Sequence, residues 1–267
     1  MPWPMIDILL ALPVFALVLF RITGLMLTAP IYGSRVIPVQ VRVAVAFVVA
    51  TVVFPVVAGQ APRDLSLSTA LVGGVGEMMI GATIGLGLTL LLMGAEVGGL
   101  IVGRQAGVAL ANVYDPVQNQ DVSVVGQVYS VTLILLFLLI GGHRATMAAL
   151  LDTYRVVPVL SFEADETVLV LMVEMLAAAF MLGIRLAGPV LIALFMLGVA
   201  LAFLSRTMPQ LNILTVGFPL RLLIGLAVAA VALAACEGIL VDAIWDGVIL
   251  VRTTFGLDPG RNYLVVS

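Results

Sequence analysis

The stretch GRQAGVALANVYDPVQNQDVSVVGQ, residues Gly103 to Gln127, is polar and lies mid-chain between two strongly apolar runs. Gly103, Gly107 and Gly126 bracket it, and Asp115-Pro116 followed by Gln118-Asn119-Gln120-Asp121 fills its middle. Before it, Leu71 to Val102 carries only Glu77 and Glu96 as charges; after it, Val124 to Ile140 carries none. Runs of this length suit membrane elements, which need about 20 residues to cross hydrocarbon. A polar segment between them either stands in water or lines a space through which something passes.

The composition agrees with a membrane setting. The 267 residues are 63% hydrophobic and 10% charged, with a mean hydropathy of +1.25. Soluble domains are about 45–50% apolar and about 25% charged, so the excess belongs in lipid or in a large buried assembly. Net charge is −3, every basic residue is arginine, and no basic stripe exists, so nucleic acid is not an expected partner. The single Cys236 lies in an apolar run and is expected to be small apolar filler, since one thiol makes neither an internal disulfide nor a metal site. Met1 to Asp7 lacks the basic region of a signal peptide, so the first apolar run is expected to be an uncleaved membrane segment.

Moving outward, Ile8 to Ile31 is apolar but interrupted by Pro13 and Arg21, and Ala29-Pro30 and Ile37-Pro38 punctuate its exit. Val39 to Val57 follows, with Arg42 near its start and Pro55 near its end. In and just after Leu71 to Val102 the sets Gly81/Gly85, Gly94/Gly98 and Gly99/Gly103/Gly107, all at spacing four, share helix faces and would let backbones approach closely. That run is long for one span and reads as a broken or steeply inclined helix. Gly141-Gly142-His143-Arg144 ends the next run and holds the only histidine, for which an interfacial hydrogen bond is expected. Thr146 to Val157 reads as an amphipathic helix with Asp152 and Arg155 close to Pro158. Ser161 to Glu166 is the densest acidic run, and serine leading acids predicts a helix start rather than a calcium loop. Val168 to Leu204 is apolar with a Gly188-Pro189 break, and Leu222 to Val251 carries Glu237, Asp242 and Asp246.

The charges Arg21, Arg42, Glu77, Glu96, Glu174, Arg185, Arg206, Arg221, Glu237 and Asp242 lie in or beside apolar runs. An unpaired charge at the bilayer centre costs about 2.5–3.5 kcal/mol on the lenient scale, so these must pair or reach water. The arginines are spread over most connections and give no clean orientation. Both facts argue against an ordinary lipid-surrounded bundle. No nucleophile elbow, zincin helix, phosphate loop, dinucleotide fingerprint or Cys-x-x-Cys occurs, so no catalytic, cofactor or metal residues are expected and the chain does not read as an enzyme.

Several blocks, taken in order, resemble the FliR family of flagellar and injectisome export proteins. They are Arg21-x-x-Gly24, Ala29-Pro30, Ile37-Pro38 with Arg42, and Glu77-x-x-x-Gly81-x-x-x-Gly85. Asp115-Pro116, Gly126-Gln127, Gly142-His143 and Pro158 continue the match. The most specific block is Arg206-Thr207-Met208-Pro209-Gln210-Leu211-Asn212-Ile213 with Gly217 and Pro219. The resemblance implies an all-α, integral membrane-type protein of tilted, broken helical hairpins that assembles into a helical export-gate complex. It implies a FliP-like part over residues 1–188 and a FliQ-like hairpin with a short tail over 189–267. The partners implied are FliP-like and FliQ-like subunits, an FlhB-like export component, unfolded secreted proteins and membrane lipid, in the bacterial inner membrane at the flagellar basal body. Within this resemblance, the loop of about 107–126 is the pore plug. Its sealing residues are Val113, Tyr114, Asp115, Pro116, Val117, Gln118, Asn119, Gln120, Asp121 and Val122, with Gly103, Gly107 and Gly126 as hinges. Arg21, Glu77, Glu96, Arg206, Arg221, Glu237 and Asp242 become buried or inter-subunit charges. The Asp-Pro…Gly-Gln loop leans towards the flagellar system. The alternative is a polytopic small-molecule or ion secondary transporter with Glu77 and Glu96 at a midplane site, against which the chain has no alignable internal repeat.

Overall fold

A computed structural model describes residues 3–34, 37–59, 67–108, 123–161, 166–208 and 213–259. Every element among them is a helix: α1 (Trp3–Thr28), α2 (Val39–Ala58), α3 (Leu67–Ala106), α4 (Val124–Leu139), α5 (Gly142–Val156), α6 (Glu166–Thr207), α7 (Ile213–Ala235) and α8 (Glu237–Thr254). Four are long and apolar enough to cross a membrane, or five if α4 and α5 count as one bent span. The membrane setting expected from composition and the all-α class implied by the family resemblance are the ones found.

α3 and α6 are the long elements, with 40 and 42 residues. At 1.5 Å per residue each is about 60 Å long, roughly twice the hydrocarbon thickness. α3 is unbroken, and α6 runs through Pro189 without ending, so the expected Gly188-Pro189 break is absent. Pro189 is exposed, and the helix continues through it with one backbone hydrogen bond forgone for want of an N–H. Pro13, Pro55 and Pro219 are likewise inside helices. The apolar stretch from Leu222 is instead divided at Cys236, which is buried between α7 and α8.

The chain forms two compact units, neither continuous in sequence. The first comprises Met1–Leu90, Gly141–Leu176 and Ile244–Ser267. In it α1 crosses the first half of α3 at very close range: a Cβ on Gly24 would strike the Met78 carbonyl, and one on Gly81 would strike the Arg21 carbonyl. Thr28 and Thr89 tie the same crossing, the latter donating to the Thr28 carbonyl at 2.6 Å. Phe15 packs edge-on against Phe47 and Phe54 of α2. Otherwise α2 buries only Ala46, Ala50 and Val57, leaving a valine-rich face outward. The turn after α1 is held by Arg42, which donates to the Ser34 and Ile37 carbonyls. In that turn burial pushes the Tyr32 phenol above its ordinary value, so it stays neutral.

The second unit comprises Leu91–Ile140 and Ala177–Ala243. Here Gly94 and Gly98 of α3 face Ala179 and Gly183 of α6, while Gly99 faces Gly126 of α4. Each of these glycine pairs thus lines a different helix crossing, with Gly81/Gly85 serving α1, whereas Gly107, expected on the same face as Gly99 and Gly103, lies just past the end of α3. Small residues are needed there because the backbones leave no space for a side chain.

Candidate functional site

The polar segment of the second unit is rooted in defined structure at both ends. α3 ends in a Schellman arrangement: the Val108 amide donates to the Gly103 carbonyl at 3.0 Å and the Gly107 amide to the Arg104 carbonyl at 3.2 Å. Gly107 has φ +90°, a left-handed conformation that side chains disfavour. At the other end Ser123 caps α4, its hydroxyl oxygen accepting from the Gly126 amide at 3.1 Å. Val113 to Val122, with Tyr114, Asp115, Pro116, Gln118, Asn119, Gln120 and Asp121 among them, lie outside the described residues, as do Pro209 to Asn212 and Phe162 to Asp165. Of the glycines expected as hinges, Gly107 is at the helix end, Gly103 is buried in α3, and Gly126 is buried in the first turn of α4.

The first unit contains a fully buried ion centre. Arg21 Nε lies 2.6 Å from Glu77 Oε2, with both side chains 0% exposed. Arg21 Nη1 donates to Thr153 Oγ1, and Nη1 and Nη2 both donate to the Val157 carbonyl, each at 3.1 Å. The guanidinium also stands over the Tyr154 ring, 4.2 Å from its centroid, while the Tyr154 hydroxyl donates to the Val18 carbonyl. Glu77 Oε1 accepts from the Leu160 amide at 2.8 Å. Leu160 is a non-glycine residue at φ +69°, a conformation costing about 1–2 kcal/mol. It is held there by the Glu77 bond and by its side chain lying on Gly73 and beside Leu17. The cluster therefore clamps the turn after α5 from both sides: arginine holds a carbonyl and glutamate an amide. A buried pair of this kind, with its remaining donors and acceptors satisfied, fixes register more than it adds stability.

The other expected charges do not join this centre. Glu96, Arg206, Glu237 and Asp242 are exposed on the chain's surface, and Arg221 is half-buried. Glu174 and Arg185 are exposed on α6 amid Val173, Phe180, Met181 and Ile184. His143, for which an interfacial hydrogen bond is expected, has a buried Nδ1 with no hydrogen-bond partner among the described residues.

A model of the family described as bacterial export proteins, family 1, matches residues 12–245. The chain belongs to this family. It is 28% identical over 212 residues to the flagellar biosynthetic protein FliR of Escherichia coli (strain K12), covering 79% of this chain and 81% of that one. It is 27% identical over 260 residues to the FliR of Bacillus subtilis (strain 168), covering 95% of each. The FliR of Caulobacter vibrioides is 27% identical over 237 residues, covering 86% of this chain and 92% of that one. The family resemblance read from the residues therefore holds.

In this export-family chain the sequence reading missed three things. It named Arg21 and Glu77 without pairing them, and gave no role to Thr153, Tyr154, Val157 or Leu160. The polar Thr153-Tyr154 beside Pro158 was the available signal; nothing in the sequence marks Leu160 as left-handed. It also missed that Asp152 pairs with Arg252, Nη2 to Oδ2 at 3.0 Å, while Arg252 Nε donates to the Asp258 carbonyl. This pair ties the end of α8 to α5.

Proposed function

We propose that the chain is a non-enzymatic, membrane-embedded subunit of the bacterial flagellar type III export gate, in which residues 113–122 seal the pore at rest. The observation that carries the reading is the co-linear match over 95% of both chains to a flagellar biosynthetic protein, within an export-protein family. The exposed charges support an assembly. Glu96, Glu174 and Arg185 stand on otherwise apolar faces and need protein or water rather than lipid against them. FliP-like and FliQ-like subunits would cover these faces, an FlhB-like component would join them, and unfolded export substrates would pass the gate in the inner membrane at the basal body. In this reading residues 1–188 act as the FliP-like part and 189–267 as the FliQ-like part. The seal works by occupancy. Polar side chains between two rooted helix ends block ions at rest, and Gly103, Gly107 and Gly126 serve its movement.

The transporter alternative is not favoured. Glu77 is consumed by Arg21 and the Leu160 amide in the first unit, and Glu96 is exposed on α3 in the second. The test is expression in a strain lacking its own copy of the gene, with tagged chain purified from membranes. Restored filament formation and co-purification of two further small membrane proteins are expected. A stable monomer that binds a small solute, with no restored export, overturns the proposal.

A further inference from the structure

Along α6 one line of residues is left bare. Met181, Arg185, Gly188, Ile192, Phe195 and Val199 follow one another at alternating steps of four and three, and all are exposed except the half-buried Gly188. The opposite line, Gly183, Ala187, Val190 and Leu194, keeps the same steps and is buried. There Gly183 lies on Gly98 of α3, and Leu194 beside Gly225 of α7. A repeat of about 3.5 residues is the pattern of a helix that packs along a neighbour at about +20°. The second unit therefore fills one such seam of α6 and leaves the other open. Lipid alone does not suit the open one. Arg185 makes no ion pair or hydrogen bond among the described residues. Pro189 has no N–H for the Arg185 carbonyl, so the same turn also presents a carbonyl without its helical donor. A free guanidinium and a bare carbonyl are both costly in hydrocarbon. Length argues the same way: α6 is about 60 Å long and exposes apolar side chains over most of it, whereas hydrocarbon covers only about 40 Å of a helix tilted by about 40°.

We propose that the seam from Met181 to Val199 is the bed of an apolar helix from another subunit, which carries a carboxylate opposite Arg185 and comes nearest at Gly188. This rests on the reading of the chain as one subunit of a membrane assembly. Charge complementarity decides the occupant. An acyl chain offers the guanidinium nothing, and a second copy laid parallel in register would set Arg185 against Arg185. A carboxylate on a helix satisfies the guanidinium at the depth where it lies. A Cβ built on Gly188 meets nothing within 4 Å, so the bare backbone there lets the partner come close. A single polar residue in an otherwise apolar seam fixes the register and choice of partner, and Arg185 holds that position.

The experiment has two arms, both on the assembled complex in phospholipid vesicles. In the first, Ile192→Cys in a Cys236→Ala background carries a nitroxide spin label. The label should be immobilised and should collide slowly both with oxygen, which dissolves in lipid, and with a water-soluble nickel chelate. Oxygen collisions as frequent as those of a spin-labelled lipid in the same vesicles mean a lipid-covered seam and overturn the proposal. Frequent collisions with the chelate mean a water-lined seam and overturn it too. In the second arm, Arg185→Glu should cut the chain recovered in complex by at least about tenfold, and Arg185→Lys by less than about threefold. Recovery of Arg185→Glu should return when one acidic residue in an apolar helix of a co-purified subunit is changed to lysine. Unchanged recovery of Arg185→Glu, or rescue at none of those acids, overturns the pairing. If Arg185→Glu does not reach the membrane, the label at residue 192 decides alone. A chain that purifies without partners fails the subunit reading, whereas a complex that assembles with its seam in lipid fails this proposal only.

Discussion

Replacing Arg21 by alanine should remove more stability than any other single change of charge in the chain. The guanidinium is wholly buried, contacts Glu77 at 2.6 Å, and serves Thr153 and Val157 as well. Its loss leaves the Glu77 carboxylate in the core with the Leu160 amide as its remaining partner. Breaking a buried pair from one side costs about 3–5 kcal/mol. For a chain of this size each kcal/mol moves the melting temperature by about 2–4 °C, so a drop of roughly 6–20 °C is expected. Thermal unfolding of the purified complex, followed by loss of its gel-filtration peak, measures it. Arg21→Lys should fall between, because an ammonium cannot reproduce the planar fork that meets Glu77 and Val157 together. The double variant Arg21→Met with Glu77→Met should lose clearly less than the sum of its singles, since no unpaired charge remains. A melting temperature for Arg21→Ala within about 2 °C of the parent would refute the reasoning. Strictly additive singles would refute the pairing.

The glycines give an opposed pair of outcomes. Gly81→Ala should destabilise by about 1–3 kcal/mol or block assembly, because its Cβ meets the Arg21 backbone. Gly238→Ala, with nothing within 4 Å in a helix, should stabilise by about 0.5–1 kcal/mol; equal melting shifts in both would contradict the close crossing. Gly107→Val should cost about 1–2 kcal/mol, seen as faster proteolysis after α3, and Gly107→Asn less, since asparagine tolerates the left-handed state. Arg252→Ala should cost about 1.5–3 kcal/mol by loss of charged hydrogen bonds to Asp152 and Asp258, and should raise hydrogen exchange at the end of α8 while leaving α1 protected.

The helices themselves were legible because apolar runs in lipid must be helical or closed barrels. Glycine spacing carried the crossings as well: Gly81/Gly85, Gly94/Gly98 and Gly99/Gly103 each mark a neighbour. Proline misled at Pro189, where propensity predicts a break but the exposed proline sits inside a continuous helix. The requirement that Arg21 face protein was readable from the cost of a charge in an apolar run. Its partner was not, because Glu77, Thr153 and Val157 lie far away in sequence and only tertiary packing unites them. The left-handed Leu160 follows from that packing alone.

The central claim is that residues 113–122 seal an export gate, and ion leakage tests it most directly. Membrane conductance should be measured in cells making the chain without Val113 to Val122, alongside a check that the gate complex still assembles. The account predicts leakage well above that of the intact chain with assembly preserved. Unchanged leakage in fully assembled complexes would contradict it.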